Sequence, residues 1–212
     1  MPDGPVTQGC SDSVAAMILA AGFSRRMGQQ NKLLLPIGDI PMIRHVALAV
    51  LASRAEPVIA VTGFEGKQVR HALAELKLTI AENPCPDEGL SSSLRVGLEA
   101  LPRDCGAVLV CLGDMPGIRA RHIDALVTAF LAHDAKLICT PTYGGERGNP
   151  VLWPRHMFTK MQALVGDTGA RALLARYRER VLTVPMTDSA VVTDIDTPDC
   201  LGRFDTTDGL GL

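Results

Sequence analysis

Residues 14–28 read VAAMILAAGFSRRMG and are followed a few positions later by Lys32. The apolar run up to residue 21 is typical of a buried β-strand. The small residues after it allow the backbone to approach a bulky anion, and their N–H groups can bind phosphate oxygens. A hydroxyl group and three positive charges follow: Ser24, Arg25, Arg26 and Lys32. The stretch favours a triphosphate-binding loop, with a surface turn of solvated basic residues as the alternative.

Two common nucleotide motifs are absent from this stretch. It contains neither the G-x-G-x-x-G pattern of dinucleotide-binding domains nor the G-x-x-x-x-G-K-[ST] pattern of P-loop proteins. A dinucleotide-dependent dehydrogenase and a P-loop kinase are therefore disfavoured.

Apolar, strand-like segments alternate with amphipathic, helix-like segments along the chain. Strands are predicted at residues 14–19, 57–62, 78–81, 107–112 and 136–140, with helices between them. Shorter strands are predicted at 149–153, 181–184 and 191–194. Near-continuous apolar strands that alternate with helices predict an α/β protein with a mostly parallel central sheet, covered on both faces. Ligands bind such sheets beyond the carboxyl ends of the strands.

Composition excludes several classes of protein. The net charge is −2 and aromatic residues make up 4% of the chain, so neither a basic surface nor stacking platforms for nucleic acid are indicated. No apolar run approaches the ~18 residues that span a membrane. Six cysteines without a C-x-x-C motif indicate reduced thiols and a cytoplasmic protein. We expect one domain over residues 14–204, a flexible extension at 1–13 and a tail at 205–212.

Acidic residues follow two of the predicted strands. Asp114 comes directly after residues 107–112, where a carboxylate can hold Mg²⁺ or can start a turn. Asp194 and Asp196 follow a later strand. In an extended chain alternate side chains point to opposite sides, so only one of the two is expected to face the site. The other reading of this segment is a helix amino terminus with Asp or Thr as its cap.

Small residues recur every four positions in a predicted helix at residues 90–101. Gly89, Ser93 and Gly97 would share one face of this helix. That face could form a flat wall for a nucleotide base, with the Ser93 hydroxyl as a hydrogen-bond donor. Close packing of the helix on the sheet is the alternative.

Seven motifs together resemble a known family: LAAGFSRRMG (19–28), Lys32, GLSSSLRVGL (89–98), GDMP (113–116), RGNPVL (147–152), GDTGAR (166–171) and DIDTP (194–198). The sequence resembles the nucleotidyltransferases that activate sugars, isoprenoid precursors and molybdopterin. Within them it is most similar to the molybdenum cofactor cytidylyltransferases. The resemblance extends over residues 14–201.

The resemblance implies a three-layer α/β/α, Rossmann-like nucleotidyltransferase fold. It implies Mg²⁺ bound by Asp114 and Asp196, and Ser93 as the residue nearest to the base. Ala21-Gly22 stands where guanylyltransferase relatives have Gly-Gly, and the motif at 89–93 also differs from theirs, so CTP is expected rather than GTP. The implied nucleotide-binding residues are Leu19, Ala20, Ala21, Gly22, Ser24, Arg25, Arg26, Lys32, Gly89, Ser92 and Ser93.

The implied reaction joins CTP to molybdopterin that carries Mo, and releases pyrophosphate. The attacking phosphate monoester is largely ionised at pH 7, so no general base is required and none of the five histidines is assigned to catalysis. The expected catalytic residues are Lys32, Arg26 and Asp114. A pocket for the pterin is expected from Gly148, Asn149, Pro150, Asp167 and Arg171, and Trp153 could stack there or belong to the core.

Two rival functions share the same motifs. One is nucleotidyl transfer to another small phosphate, such as a sugar or methylerythritol phosphate. The other is a non-catalytic carrier of the molybdenum cofactor. A transient contact with a recipient molybdoenzyme is expected in either molybdenum function.

Overall fold

A computed structural model describes residues 13–23 and 31–196, and its centre is one eight-stranded sheet. Its path runs β10-β7-β9-β6-β1-β4-β5, and β8 pairs with β7 beside that path. A separate pair, β2 (Pro36–Ile37) and β3 (Ile40–Pro41), forms a small antiparallel hairpin. The strands of the main sheet are β1 (Val14–Ala20), β4 (Val58–Thr62), β5 (Thr79–Glu82), β6 (Ala107–Leu112), β7 (Ile138–Tyr143), β8 (Glu146–Arg147), β9 (Val151–Pro154) and β10 (Val181–Pro185).

The sheet is mostly parallel, as the sequence predicts. β1 lies in the middle and pairs in parallel with both β4 and β6. β4 pairs in parallel with β5, and β7 with β10, whereas β9 runs antiparallel to its neighbours β6 and β7. Every residue of β1 is buried, because helices cover both faces of the sheet at this strand.

Within residues 13–23 and 31–196, six α-helices cover the two faces of the sheet. The helices are α1 (Met42–Leu51), α2 (Gly66–Ala72), α3 (Leu90–Glu99), α4 (Ala120–Ala132), α5 (Phe158–Gln162) and α6 (Arg171–Arg176). One buried cluster joins α1, α2 and α4 to Ala16 and Ile18 of β1. The other joins α3, α5 and α6 to Ala15 and Met17. Side chains alternate along β1 between the two clusters, which gives the three-layer α/β/α architecture.

Strand register brings distant segments to one edge of the sheet. Leu19 lies opposite Leu112, and the N–H of Gly113 donates to the carbonyl of Leu19 at 3.0 Å. Val110 pairs with Val151, and because β9 is antiparallel, its amino end lies beside the carboxyl end of β6. The segments after β1 and β6 and the segment before β9 therefore meet at the same edge.

The structure departs from the predicted elements in one segment near the site. Residues 191–194 do not form a strand; Ser189–Val191 is a short 3₁₀ turn, and Asp188 caps it by accepting from the N–H of Ala190 at 3.0 Å. The turn satisfies the N–H groups of Ala190 and Val192 within the segment, and single backbone bonds to Asn149 and Asp114 take the place of strand pairing. The predicted extension at 1–13, apart from Ser13, and the tail at 205–212 lie outside the described residues.

Candidate active site

Lys32 joins two carboxylates at the carboxyl edge of the sheet. Its Nζ lies 2.6 Å from Oδ2 of Asp114 and 2.6 Å from Oδ1 of Asp196. Lys32 begins a 3₁₀ turn (Lys32–Leu34), and Asn31 caps this turn by accepting from the N–H of Leu33 at 3.1 Å. Three segments far apart in the sequence thus meet at one ammonium group.

The ammonium of Lys32 stays charged in this setting. Burial by itself lowers the pKa of Lys32, but the charges and hydrogen bonds of Asp114 and Asp196 raise it by more, so the pKa lies above its usual value. The side chain is 13% exposed. The site therefore holds a positive charge at neutral pH, partnered by two carboxylates.

Three carboxylates gather beside Lys32. Oxygen atoms of Asp114, Asp194 and Asp196 all lie within 4.8 Å of one another. Oδ1 of Asp114 is buried and, among the described residues, has no hydrogen-bond partner. A buried carboxylate oxygen without a donor fits a hard divalent cation, which prefers oxygen ligands. The residues present therefore fit the metal that the resemblance implies.

The expectation that only one of Asp194 and Asp196 would face this cluster is wrong. It assumed an extended strand, in which alternate side chains diverge. The described chain at 192–196 follows a turn and forms no strand, so both carboxylates reach the same point. Asp194 therefore joins the predicted ligands Asp114 and Asp196 as a third candidate.

A strap of chain, residues 188–196, carries Asp194 and Asp196 to the site. It is fixed at both ends by backbone bonds: the N–H of Asn149 donates to the carbonyl of Val191 at 2.8 Å, and the N–H of Ile195 donates to the carbonyl of Asp114 at 2.9 Å. Gly148 lies so close to the Val191 carbonyl that a Cβ there would overlap it. The requirement for glycine at 148 is therefore set by the strap.

Asp188 anchors the start of the strap to α4. Its Oδ2 lies 3.0 Å from Nε2 of His122 and 3.0 Å from Nη2 of Arg121. Burial raises the pKa of Asp188, but hydrogen bonds from His122, Arg121 and the backbone of Ala190 outweigh burial and lower this pKa to about 2. His122 is 2% exposed and its Nδ1 accepts from the N–H of Arg119, so it holds structure and faces no ligand.

A first pocket of about 300 Å³ opens beside Lys32 and Asp114. Ala20 and Ser92 do not line it, since Ala20 is buried in β1 and Ser92 bonds to the loop before α3. Ser24, Arg25 and Arg26 lie outside the described residues. The predicted nucleotide-site residues that do line it are Leu19, Ala21, Gly22, Lys32, Gly89, Ser93 and Asp114.

The small residues of α3 have separate roles. A Cβ on Gly97 would overlap the side chain of Met17 in β1, so this position serves helix–sheet packing. Gly89 has φ +90° and lies against Asp167, where a Cβ would come within 2.5 Å of Oδ1. Only Gly89 and Ser93 line the pocket, so the flat wall predicted from Gly89, Ser93 and Gly97 is not formed.

A second pocket of about 480 Å³ adjoins the first. The two share Leu19, Leu90, Leu112 and Asp167 in their walls. Pro150, also predicted here, does not line it. Four of the residues predicted for the pterin line this second pocket, together with Trp153: Gly148, Asn149, Asp167 and Arg171.

Trp153 and Asp167 line the second pocket and also make contacts inside the protein. Trp153 is 1% exposed and belongs to the core on the α3 side of the sheet. Oδ1 of Asp167 accepts from the N–H of Leu90 at 3.3 Å, at the start of α3. Asp167 therefore links the wall shared by both pockets to the helix that carries Ser93.

Sequence reasoning missed Asn83. This residue follows β5, is 3% exposed and donates from Nδ2 to the hydroxyl groups of Ser92 and Ser93 at 2.8 and 3.0 Å. The available signal was an asparagine two residues after a predicted strand, at the ligand-binding edge of the sheet. None of the five histidines, all within the described part of the chain, lines either pocket.

The comparisons with known proteins agree with this geometry. A mostly parallel α/β sheet with two adjoining pockets and a carboxylate cluster at its carboxyl edge is the architecture expected of a nucleotidyltransferase. The chain belongs to the family of the MobA-like NTP transferase domain, whose family model matches residues 16–181. This result confirms the predicted family at the level of nucleotidyltransferases.

Three similar proteins illustrate the range of the family. The probable molybdenum cofactor guanylyltransferase of Mycobacterium ulcerans is 29% identical over 188 residues, 87% of this chain and 90% of the relative. Nicotine blue oxidoreductase of Paenarthrobacter nicotinovorans is 27% identical over 90% of this chain and 96% of the relative. The crystal structure of the Mycobacterium tuberculosis rv0371c homologue from Mycobacterium sp. strain JC1 matches with a TM-score of 0.80 and 27% identity, covering 92% of this chain and 96% of that one.

Within the described residues, no helix has both the length and the apolar character needed to cross a bilayer.

Proposed function

We propose that this protein is a molybdenum cofactor cytidylyltransferase, which transfers CMP from CTP to the terminal phosphate of molybdopterin carrying Mo. The observation that carries the proposal is the position of Lys32 and the three carboxylates beside two adjoining pockets. One pocket is available for each substrate, and the charged cluster lies where the two phosphates would meet.

The reaction exchanges one P–O bond for another. An oxygen of the molybdopterin phosphate bonds to the α-phosphorus of CTP, and the bond from that phosphorus to the oxygen bridging to the β-phosphorus breaks. Pyrophosphate leaves with the electron pair. The phosphate monoester has a second pKa near 6 and is largely ionised at neutral pH, so no side chain has to remove a proton.

The protein's contribution is positioning and charge. When bound by Asp114, Asp196 and Asp194, a divalent cation such as Mg²⁺ supplies charge neutralisation to phosphate oxygens. Lys32 holds a permanent positive charge for the transferring phosphate. Arg25 or Arg26 would stabilise the pyrophosphate, and the backbone N–H groups of residues 21–24 would hold the β- and γ-phosphates.

The choice of CTP rests on the first pocket. Ser93 lies in its wall and offers a hydroxyl group to a base. Ala21, also in this wall, stands where guanylyltransferase relatives carry a glycine, and the motif at residues 89–93 differs from theirs. We expect these two differences to favour CTP over GTP.

GTP is the second candidate donor. The relative from Mycobacterium ulcerans, 29% identical, is named a probable molybdenum cofactor guanylyltransferase. Because another relative of similar identity is named an oxidoreductase, measured nucleotide turnover has to decide the chemistry.

The test is a matrix of donors and acceptors, read as pyrophosphate release with Mg²⁺ under anaerobic conditions. The donors are CTP, GTP, ATP and UTP, and the acceptors are Mo-loaded molybdopterin, a sugar phosphate and methylerythritol phosphate. Release with CTP and the pterin alone is expected. Release with GTP and the pterin would overturn the base assignment, and release with another phosphate would overturn the acceptor. Tight pterin binding without release in any combination would favour a carrier.

A further inference from the structure

Asn83 is a buried amide whose hydrogen-bonding groups are all used. Nδ2 donates to Oγ of Ser92 at 2.8 Å and to Oγ of Ser93 at 3.0 Å, while Oδ1 accepts from the N–H of Cys85 at 3.0 Å. Its backbone N–H donates to the carbonyl of Thr62 at 2.7 Å. Two donated bonds and one accepted bond fix which end of the amide faces the serines.

Because Asn83 donates to both serine hydroxyl groups, each hydroxyl oxygen acts as an acceptor toward Asn83 and keeps its own hydrogen for another partner. Ser92 accepts from Asn83 and has carbonyl acceptors for its own hydrogen, at Cys85 (3.0 Å) and Gly89 (2.8 Å). Ser93 also accepts from Asn83, but no acceptor within the described residues takes its hydrogen. Ser93 lies in the wall of the first pocket. Its hydroxyl group therefore has a hydrogen to donate to a ligand there.

We infer that Asn83 is a positioning residue, which keeps Ser93 a hydrogen-bond donor to the base of the bound nucleotide. The ligand atom is then an acceptor on the edge of the base, such as a ring carbonyl oxygen. The inference rests on the proposed function in one respect, namely that the base of the nucleotide occupies the first pocket. It adds a residue that does not itself line that pocket.

The Ser93 hydroxyl group has an alternative orientation, and this explains why a positioning residue is needed. A serine inside a helix commonly donates to the carbonyl four residues earlier, which for Ser93 is that of Gly89. Asn83 holds Oγ of Ser93 from the β5 side, 3.0 Å away. Removing the amide would release the hydroxyl group to bond inside the helix and away from the pocket.

The decisive variant is Asn83→Asp, which keeps the shape but replaces two donors with acceptors. The serine hydroxyls would then donate to the carboxylate, and Ser93 would no longer donate to the base. Asn83→Asp and Ser93→Ala should each raise KM for the nucleotide about fivefold, the effect of one hydrogen bond. The kcat at saturation should change less than twofold, because the phosphates bind elsewhere.

The double variant separates positioning from simple destabilisation. If Asn83 acts through Ser93, adding Asn83→Asp to Ser93→Ala should raise KM by less than twofold. Thr62→Val is the matched control. It removes a buried hydroxyl next to Asn83 that has no hydrogen-bond partner among the residues the structure describes, and it should leave KM unchanged. Independent effects that multiply, or a folded Asn83→Asp with unchanged KM, would overturn the inference.

Two measures keep the test decisive. If thermal melting shows that Asn83→Asp does not fold, Asn83→Ala takes its place in the same cycle, with the same expected loss of effect in the Ser93→Ala background. Equilibrium binding of CTP and of GTP without an acceptor gives the coupling even if no acceptor supports turnover. A wild-type protein that binds GTP and not CTP contradicts the proposed base, whereas additive variants contradict the role of Asn83.

Discussion

Nζ of Lys32 lies 2.6 Å from Oδ2 of Asp114, and the pair joins the loop after β1 to the loop after β6. The other carboxylate oxygen of Asp114 is buried and unpaired among the described residues. One carboxylate thus has an oxygen bonded to a fixed cation and an oxygen available to a metal ion. If a divalent cation binds that second oxygen, Asp114 would hold two positive charges, those of Lys32 and of the metal, for a phosphate group in the site.

Replacement of Lys32 by alanine should abolish most of the turnover. We expect Lys32→Ala to lower kcat at least ~10²-fold, about 2.7 kcal/mol, because a preorganised charge at the transferring phosphate is lost. Lys136→Ala removes an exposed lysine that pairs with exposed Asp134 in the described part of the chain, and it should leave kcat unchanged. Steady-state rates at saturating nucleotide and Mg²⁺ test this, and a Lys32→Ala enzyme near wild-type turnover would refute the assignment.

Substitution of Asp114 should lower turnover as much as substitution of Lys32, but it should also change the Mg²⁺ requirement. Asp114→Asn keeps the shape but removes the charge that a hard cation needs. We expect kcat to fall at least ~10²-fold and the Mg²⁺ concentration for half-maximal rate to rise. Asp134→Asn, at an exposed position, is the control. A rate loss with an unchanged Mg²⁺ requirement would remove Asp114 from the metal site.

The Asp188 anchor predicts a pH dependence of stability. The folded-state pKa of Asp188 lies at about 2, below its ordinary 3.8, so the ionised carboxylate stabilises the fold. Its contribution is fully present above pH 3.8 and is lost as the pH falls toward about 2. Asp188→Asn should lower the free energy of unfolding by about 1 kcal/mol at pH 7, a value reduced for partial exposure.

Urea unfolding at pH 7, 5 and 3 measures this difference. The gap between wild type and Asp188→Asn should be equal at the two higher pH values and smaller at pH 3. Asp134→Asn should show no gap at any of them. A gap that closes already between pH 7 and pH 5 would assign the stabilisation to another group.

Gly148 should be intolerant of a side chain. A Cβ there would overlap the carbonyl of Val191, and backbone cannot rotate away as a side chain can. Gly148→Ala should cost about 1–3 kcal/mol of unfolding free energy, as overpacking does. It should also raise the Mg²⁺ concentration for half-maximal rate, since the strap carries Asp194 and Asp196. Gly144→Asn is the control, with open space around it and a left-handed φ of +57° that asparagine tolerates. Wild-type stability in Gly148→Ala would show that the strap is not held there.

The central sheet could be predicted because its strands are near-continuous apolar runs. The predicted bounds of 107–112 match β6, and Asp114 was correctly placed at the carboxyl edge because parallel strands present their ends together. The resemblance implied that Lys32, Asp114 and Asp196 share one site, but their direct ion pairs could not be predicted from local sequence patterns. These pairs depend on strand order, and local patterns do not encode which strands are neighbours.

Sequence patterns did not predict the path of the strap or the role of Asn83. Residues 191–194 are predicted as a strand, but Ser189–Val191 forms a turn capped by Asp188, and the carbonyl of Val191 accepts from the N–H of Asn149. Asn83 carries no periodic signal, and its importance comes from contacts with serines on another element. For Gly97 the sequence allowed two interpretations, a wall for the base or close helix–sheet packing. The position of Met17 shows that Gly97 serves packing.

The most direct test of the central claim is label transfer from α-³²P-CTP to Mo-loaded molybdopterin with Mg²⁺, under anaerobic conditions. The account predicts that the label appears in a cytosine dinucleotide of the pterin, with one pyrophosphate released for each label transferred and none without the pterin. Label transfer from α-³²P-GTP instead, or transfer from CTP only to a sugar or polyol phosphate, would contradict it.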